Sequence, residues 1–221
     1  MITDITLSPE LAALYPQTSL GILRYTANVT NQTPELDNTI AAAVADTQTR
    51  YKLEDIAKLT QIANTRIAYK TCGKAPSEYR NSAEALLRRI VKGLGLYKVN
   101  NVVDTGNLFS VQTGFSAGSY DLSKVNGHIT LRHAPAETHY EGIGKNSVNV
   151  GFLPALFDEQ GAFGNPCSDS LRTSVTETAH EILTVIYAFC PEPELAAALD
   201  TYEQLLKTYC NADIKEKRIL K

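Results

Sequence analysis

The stretch SAEALLRRIVKGLGLYKVNNVVDTGNLFSVQTGFSAGSYDL, residues 82–122, constrains this chain more than any other. It predicts two helices joined by a glycine-punctuated turn. The first runs from Ala83 to about Gly93, with Asn81 or Ser82 as its cap and Gly95 beyond its end. The second covers Val99 to Phe115 and carries Gly114 as its stop. Gly118-Ser119-Tyr120-Asp121-Leu122 reads as a turn after it.

Other elements follow from periodicity and caps. Ile2 to Leu7 alternates, then meets Ser8-Pro9-Glu10, a helix start with Pro at its first position. Ser19–Val29 reads as a strand. Thr33-Pro34-Glu35 starts a helix that reaches about Tyr51. A further helix from Leu53 to about Lys70 has apolar residues near 3.6 spacing and ends at Gly73. His128–His133 is a short strand, Ala136–Asn149 a loop, and Val150–Phe163 and Ile182–Phe189 are strand candidates. Pro191–Cys210 is an amphipathic helix with Leu195, Leu199, Tyr202, Leu206 and Tyr209 on one stripe. The basic tail Lys215–Lys221 reads as solvated. No regular βαβ rhythm runs through this order, so the fold class is α+β.

With 221 residues the chain can bury a substantial core, and 20% charged with 43% hydrophobic residues is ordinary globular composition. No apolar run is long enough to span a bilayer, so no membrane partner is expected. The opening MITDITLSPELAALYP has neither a basic region nor a continuous apolar one, which predicts a cytoplasmic protein. Cys72, Cys167, Cys190 and Cys210 form no CxxC pair and read as reduced thiols. His128, His133, His139 and His180 lack ligand spacing, so no metal and no cofactor is expected. The net charge of −3 argues against a protein living on duplex phosphate contacts, and no DNA partner is expected. Any RNA contact must then use a local patch.

Three motifs carry a family resemblance. Tyr79, Arg80, Ser82, Glu84, Ala85, Leu86, Arg88 and Arg89 fit YR-x-S-x-E-AL-x-RR. Val99–Asp104 with Asn107 fits a NNVVD-x-x-N pattern. Arg172–Glu177 fits RT-x-VTE. The region 77–209 resembles the B3/B4 domain of the phenylalanyl-tRNA synthetase β-subunit and its small stand-alone relatives. The resemblance implies a mixed sheet flanked by helices. It also implies one domain over 1–221, with residues 1–75 an integrated leader. In the synthetase this domain holds an editing pocket that hydrolyses mischarged aminoacyl-tRNA. The chain leaves no room for a synthetase core, so the resemblance implies no aminoacylation of its own.

Carried over residue by residue, the resemblance expects Asn107, Gly118, Ser119, Arg172 and Thr173 to line one concave site. This chain also departs from the family pattern. Gly118 stands where the family has His, and Gly106 replaces the Thr of a Thr-Asn pair. The pocket Glu falls on Thr184 or Val185. Glycine at 118 implies a roomier or differently shaped pocket.

Read on their own chemistry, these residues keep alternatives open. Asn107 is a pocket-facing amide or a backbone-bonded one, with Asp104 sharing its helix face. Arg172 is a fork for a carboxylate or phosphate, or half of an internal ion pair. Arg88, Arg89 and Lys92, with Arg80 nearby, form a ridge for RNA phosphates or a solvated face paired to Glu78 and Glu84. The favoured function is an RNA-binding domain contacting tRNA or aminoacyl-tRNA. The alternatives are a hydrolase acting on mischarged aminoacyl-tRNA and a module binding a small amino-acid-like ligand.

Overall fold

The computed structural model describes residues 4–144 and 146–221. Its centre is an antiparallel sheet in the order β10-β2-β9-β3. The strands are β2 (Ser19–Thr26), β3 (Ser116–Asp121), β9 (Glu181–Ala188) and β10 (Asp213–Leu220). β9 carries seven consecutive buried residues, because both of its faces are covered. Side chains alternate across a strand, so each apolar set finds its own layer. Ile182 and Ile186 face the helices, with Leu195, Leu199 and Tyr202. Leu183, Val185 and Tyr187 face a second sheet through Ile129, Leu131, Leu156 and Phe163.

That second sheet runs β1 (Ile5–Leu7), β4 (Ile129–His133), β7 (Pro154–Asp158) and β8 (Gly161–Gly164), with β1 parallel to β4. A small hairpin, β5 (His139–Glu141) with β6 (Ser147–Asn149), stands beside it. The helices are α1 (Pro9–Leu14), α2 (Pro34–Arg50), α3 (Leu53–Ile56), α4 (Thr60–Thr71), α5 (Ser82–Val91), α6 (Asn101–Thr113) and α7 (Glu192–Cys210). The class is α+β. Among the described residues no helix is long and apolar enough to cross a membrane.

The predicted Asn81 cap of α5 forms, and α6, expected from Val99, begins at Asn101 with Asn100 as its cap. The Asn81 side chain accepts from the Glu84 N–H at 2.9 Å, and Asn100 accepts from the Val103 N–H at 3.0 Å. Asn101 fastens α6 to the N-terminal region: its amide donates to the Asn28 carbonyl at 2.9 Å and its oxygen accepts from the Thr30 N–H at 3.0 Å. The first two asparagines of the NNVVD motif are therefore structural ties. Gly114 ends α6 at φ 77°, a left-handed conformation that glycine adopts without a Cβ clash. Ala83, Leu87 and Ile90 of α5 are fully buried against Ile56, Ile62 and Val111.

Several expectations change. The 53–70 helix is two helices, broken between Ile56 and Thr60. Val150–Phe163 is the β7–β8 hairpin, and Ala136–Asn149 contains the β5–β6 hairpin. Of the alternating start, Ile2 and Thr3 lie outside the described residues, as does Lys145 of the predicted loop. The Gly118–Asp121 turn is strand β3, paired along its length with β9. The strands near 128–133 and 182–189 belong to two different sheets. The basic tail is β10, paired with β2 and pinned to α7 by Lys217 Nζ, 2.6 Å from Glu203 Oε2.

Candidate functional site

A cavity of about 740 Å³ opens between α5, the segment after it and the β5–β6 hairpin. Arg80, Arg88, Arg89 and Lys92 line it, against the single acid Glu78. Tyr79, Leu94, Tyr97, Asn149, Cys167 and Ser168 complete much of its wall. The size lies within the range typical of ligand sites.

Glu84 organises the cations. Its side chain is fully buried, and it takes Arg88 Nε at 2.9 Å and Arg66 Nη1 at 3.0 Å, with Arg80 Nε at 3.8 Å. Three guanidinium groups thus gather round one carboxylate: Arg88 one turn further along α5, Arg80 just ahead of that helix, and Arg66 of α4. Arg89 is held differently. Its Cζ stands 4.0 Å from the Tyr97 ring centroid, and its Nη1 donates to the Tyr97 hydroxyl at 3.1 Å. The buried Arg89 Nε has no acceptor among the described residues. Lys92 is exposed, and no described carboxylate pairs with it. Behind the wall, Lys74 packs its ammonium 4.0 Å from the Tyr79 centroid and donates to Asn149 at 3.2 Å. The result is a concave surface with surplus positive charge, two aromatic rings and few anions to neutralise it.

The residues expected to share one pocket are placed as follows. Gly118 and Ser119 are neighbours on β3, so they face opposite sides of the sheet. A Cβ at Gly118 would stand 2.2 Å from the Tyr120 hydroxyl oxygen and 2.9 Å from Asp169 Oδ1. Tyr120, not empty volume, fills the room that glycine provides. Its hydroxyl donates to Asp169 at 2.7 Å and lies 2.7 Å from the Tyr187 hydroxyl. Burial pushes the Asp169 carboxyl up to about 7, against the lowering effect of the Tyr120 and Asn165 donors.

Ser119 points toward the helices, 2.8 Å from the Thr184 hydroxyl, which also meets the Tyr25 hydroxyl at 3.0 Å. Tyr202 of α7 closes this region. Its ring stacks on Phe109 with centroids 4.3 Å apart, and its oxygen lies 2.6 Å from where a Cβ on Gly106 would stand. Asn107 is half-buried on α6. Thr173 is fully buried, with no partner for its hydroxyl among the described residues. Arg172 makes a two-pronged bridge to buried Asp158, with both N···O distances 2.9 Å, and donates to the Lys124 carbonyl at 3.0 Å. It borders a cavity of about 390 Å³ beside Tyr140 and Ser170. Neither that cavity nor the basic one is lined by Asn107, Gly118, Ser119 or Thr173.

Arg88, Arg89 and Lys92 do share one cavity. Sequence reasoning missed Tyr79 and Tyr97 in its wall, although a tyrosine eight residues beyond Arg89 and one next to Arg80 were visible signals. Among the described residues no group of three or more His, Cys, Asp or Glu could hold a metal ion. Cys72, Cys190 and Cys210 are free, and burial pushes their thiols up to about 11.

A family model for the B3/4 domain matches residues 64–211. Among solved structures, an N-terminal fragment of the phenylalanyl-tRNA synthetase β-subunit from Pyrococcus horikoshii is similar, with a TM-score of 0.52 and 13% identity. The match covers 97% of this chain and 50% of that one, so the chain spans about half the length of the fragment. At this identity the likeness is one of fold. No curated protein matches the chain.

Proposed function

The chain belongs to the B3/4 domain family, and we propose that it uses this fold to contact tRNA or aminoacyl-tRNA, without aminoacylating it. One observation carries the reading: among the described residues, the walls of the α5 cavity hold four basic side chains and one acidic one, although the whole chain is net negative. Phosphate oxygens are the natural complement of such a surface, since Arg offers paired donors and Lys a mobile ammonium. Glu84 gives the site order, because it holds Arg66, Arg80 and Arg88 in fixed positions before a ligand arrives. Work on tRNA implies a cytoplasmic location and a part in translation.

Ester hydrolysis in the manner of the synthetase editing pocket draws less support. Of the positions compared with that pocket, Gly106, Ser119 and Thr184 surround the Tyr202 ring or bond to one another. A substrate side chain would have to displace a stacked tyrosine.

The test is a mobility-shift titration of the protein with unfractionated tRNA at low and at physiological salt. A complex at low salt that weakens as salt rises is expected. No complex at low salt would overturn the RNA reading in favour of a small amino-acid-like ligand.

A further inference from the structure

We propose that the nucleic acid taken by the α5 cavity is unpaired RNA, with a base stacking on Tyr97 and the flanking phosphates on Arg89 and Lys92. The proposal rests on the RNA reading above and names the kind of RNA.

Three observations carry it. First, the basic wall is interleaved with aromatic rings. Tyr97 and Tyr79 both line the cavity, and each has a cation packed at 4.0 Å from its ring centroid, Arg89 and Lys74 respectively. A positive groove with aromatic platforms is how proteins hold single strands. Duplex phosphates need only the charges.

Second, Tyr97 is 59% exposed, although it is a large aromatic ring. Arg89 covers one face and orients the ring through the hydroxyl bond at 3.1 Å. With that cation in place the residue still keeps more than half of its surface open to solvent. Leu94, 58% exposed, stands in the same wall and extends the apolar platform. Bases inside a duplex have both faces covered by their neighbours, so they offer nothing to this ring. An unpaired base does.

Third, the cavity is concave and of ligand-pocket size, about 740 Å³. A helix cannot enter such a space and could only lie across its rim. A splayed nucleotide fits inside it, within reach of the Arg89 donors not used by Tyr97.

The experiment compares a fluorescein-labelled oligouridylate with a fully paired RNA duplex of equal length at one low salt concentration, using wild type, Tyr97→Ala and Tyr97→Phe. Tighter binding of oligouridylate than of duplex is expected. Tyr97→Ala should weaken the oligouridylate complex between about 5- and 150-fold, the range of one lost base stack. Tyr97→Phe keeps the platform and should restore most of the affinity, which separates stacking from the hydroxyl's hold on Arg89. Equal binding of duplex and oligouridylate, with no effect of Tyr97→Ala, would overturn the single-strand proposal and leave the RNA reading intact. Binding of neither would overturn both.

Discussion

Arg88 places its Nε 2.9 Å from Oε1 of Glu84, a carboxylate with 0% of its side chain exposed. Arg66 and Arg80 approach the same carboxylate from other sides. Removing one partner of a buried ion pair leaves the remaining charges uncompensated, which typically costs about 3–5 kcal/mol. All three arginines here keep some solvent contact, so the low end is expected. Glu84→Ala should lose about 3 kcal/mol in urea unfolding. A loss under about 1 kcal/mol would show that the cations do not depend on this anchor.

Tyr202 and Gly106 form a second close pair. An alanine at 106 would set its Cβ 2.6 Å from the tyrosine oxygen, and the ring cannot slide away because Phe109 stacks on it. Overpacking of this kind costs about 1–3 kcal/mol. Gly106→Ala should therefore destabilise by that amount, and Tyr202→Phe in the same chain should recover part of it. Thermal unfolding of both single variants and the double variant measures the coupling. Simple additivity would show that the two side chains do not compete for this space.

The contribution of two buried carboxyls to stability should fall as pH rises from about 4 to about 7. The Asp169 carboxyl is raised to about 7 and that of Asp104 to about 6, chiefly by burial. A raised carboxyl favours the folded state when protonated. Its contribution is fully present below the ordinary value of 3.8 and is lost as pH rises through about 7 for Asp169. Each group changes unfolding free energy by at most about 1.4 kcal/mol per pH unit inside its window. Asp169→Asn should flatten the profile between pH 4 and 7, a window set by those two values. An unchanged slope in the variant would contradict the assignment.

The N-terminal residues should be indispensable to folding. β2 lies between β10 and β9, and α2 packs on α5 and α6. Deleting residues 1–75 would remove an inner strand and expose Ile182 and Ile186 of β9. The truncated chain should show no cooperative unfolding transition by circular dichroism. A cooperative transition would make 77–209 an independent unit.

What the sequence made legible was local. Asn81 as a cap and Gly114 as a stop both depend on residues within a few positions of one another. Gly118-Ser119 could not be assigned by the same means, because small polar residues suit turns, and only the partner β9 makes them a strand. The tail DIKEKRIL looked solvated because it is rich in lysine. Its alternation of exposed and half-buried residues is that of an edge strand, where lysine guards against further pairing. Candidate sites divide in the same way. Arg88, Arg89 and Lys92 share a helix face and were readable together. Tyr202 against Gly106 and Arg172 against Asp158 arise from tertiary packing that no local pattern announces.

The most direct test of the central claim is the salt dependence of tRNA affinity in Arg89→Gln/Lys92→Gln. These are the cations not tied to Glu84, so the exchange leaves the buried anchor intact. Each lost phosphate contact lowers the slope of log K against log salt by about 0.7 to 0.9. The double variant should bind more weakly at low salt and show a slope shallower by up to about 1.8, the sum for two contacts. The same slope and affinity as wild type would contradict an RNA contact at this cavity.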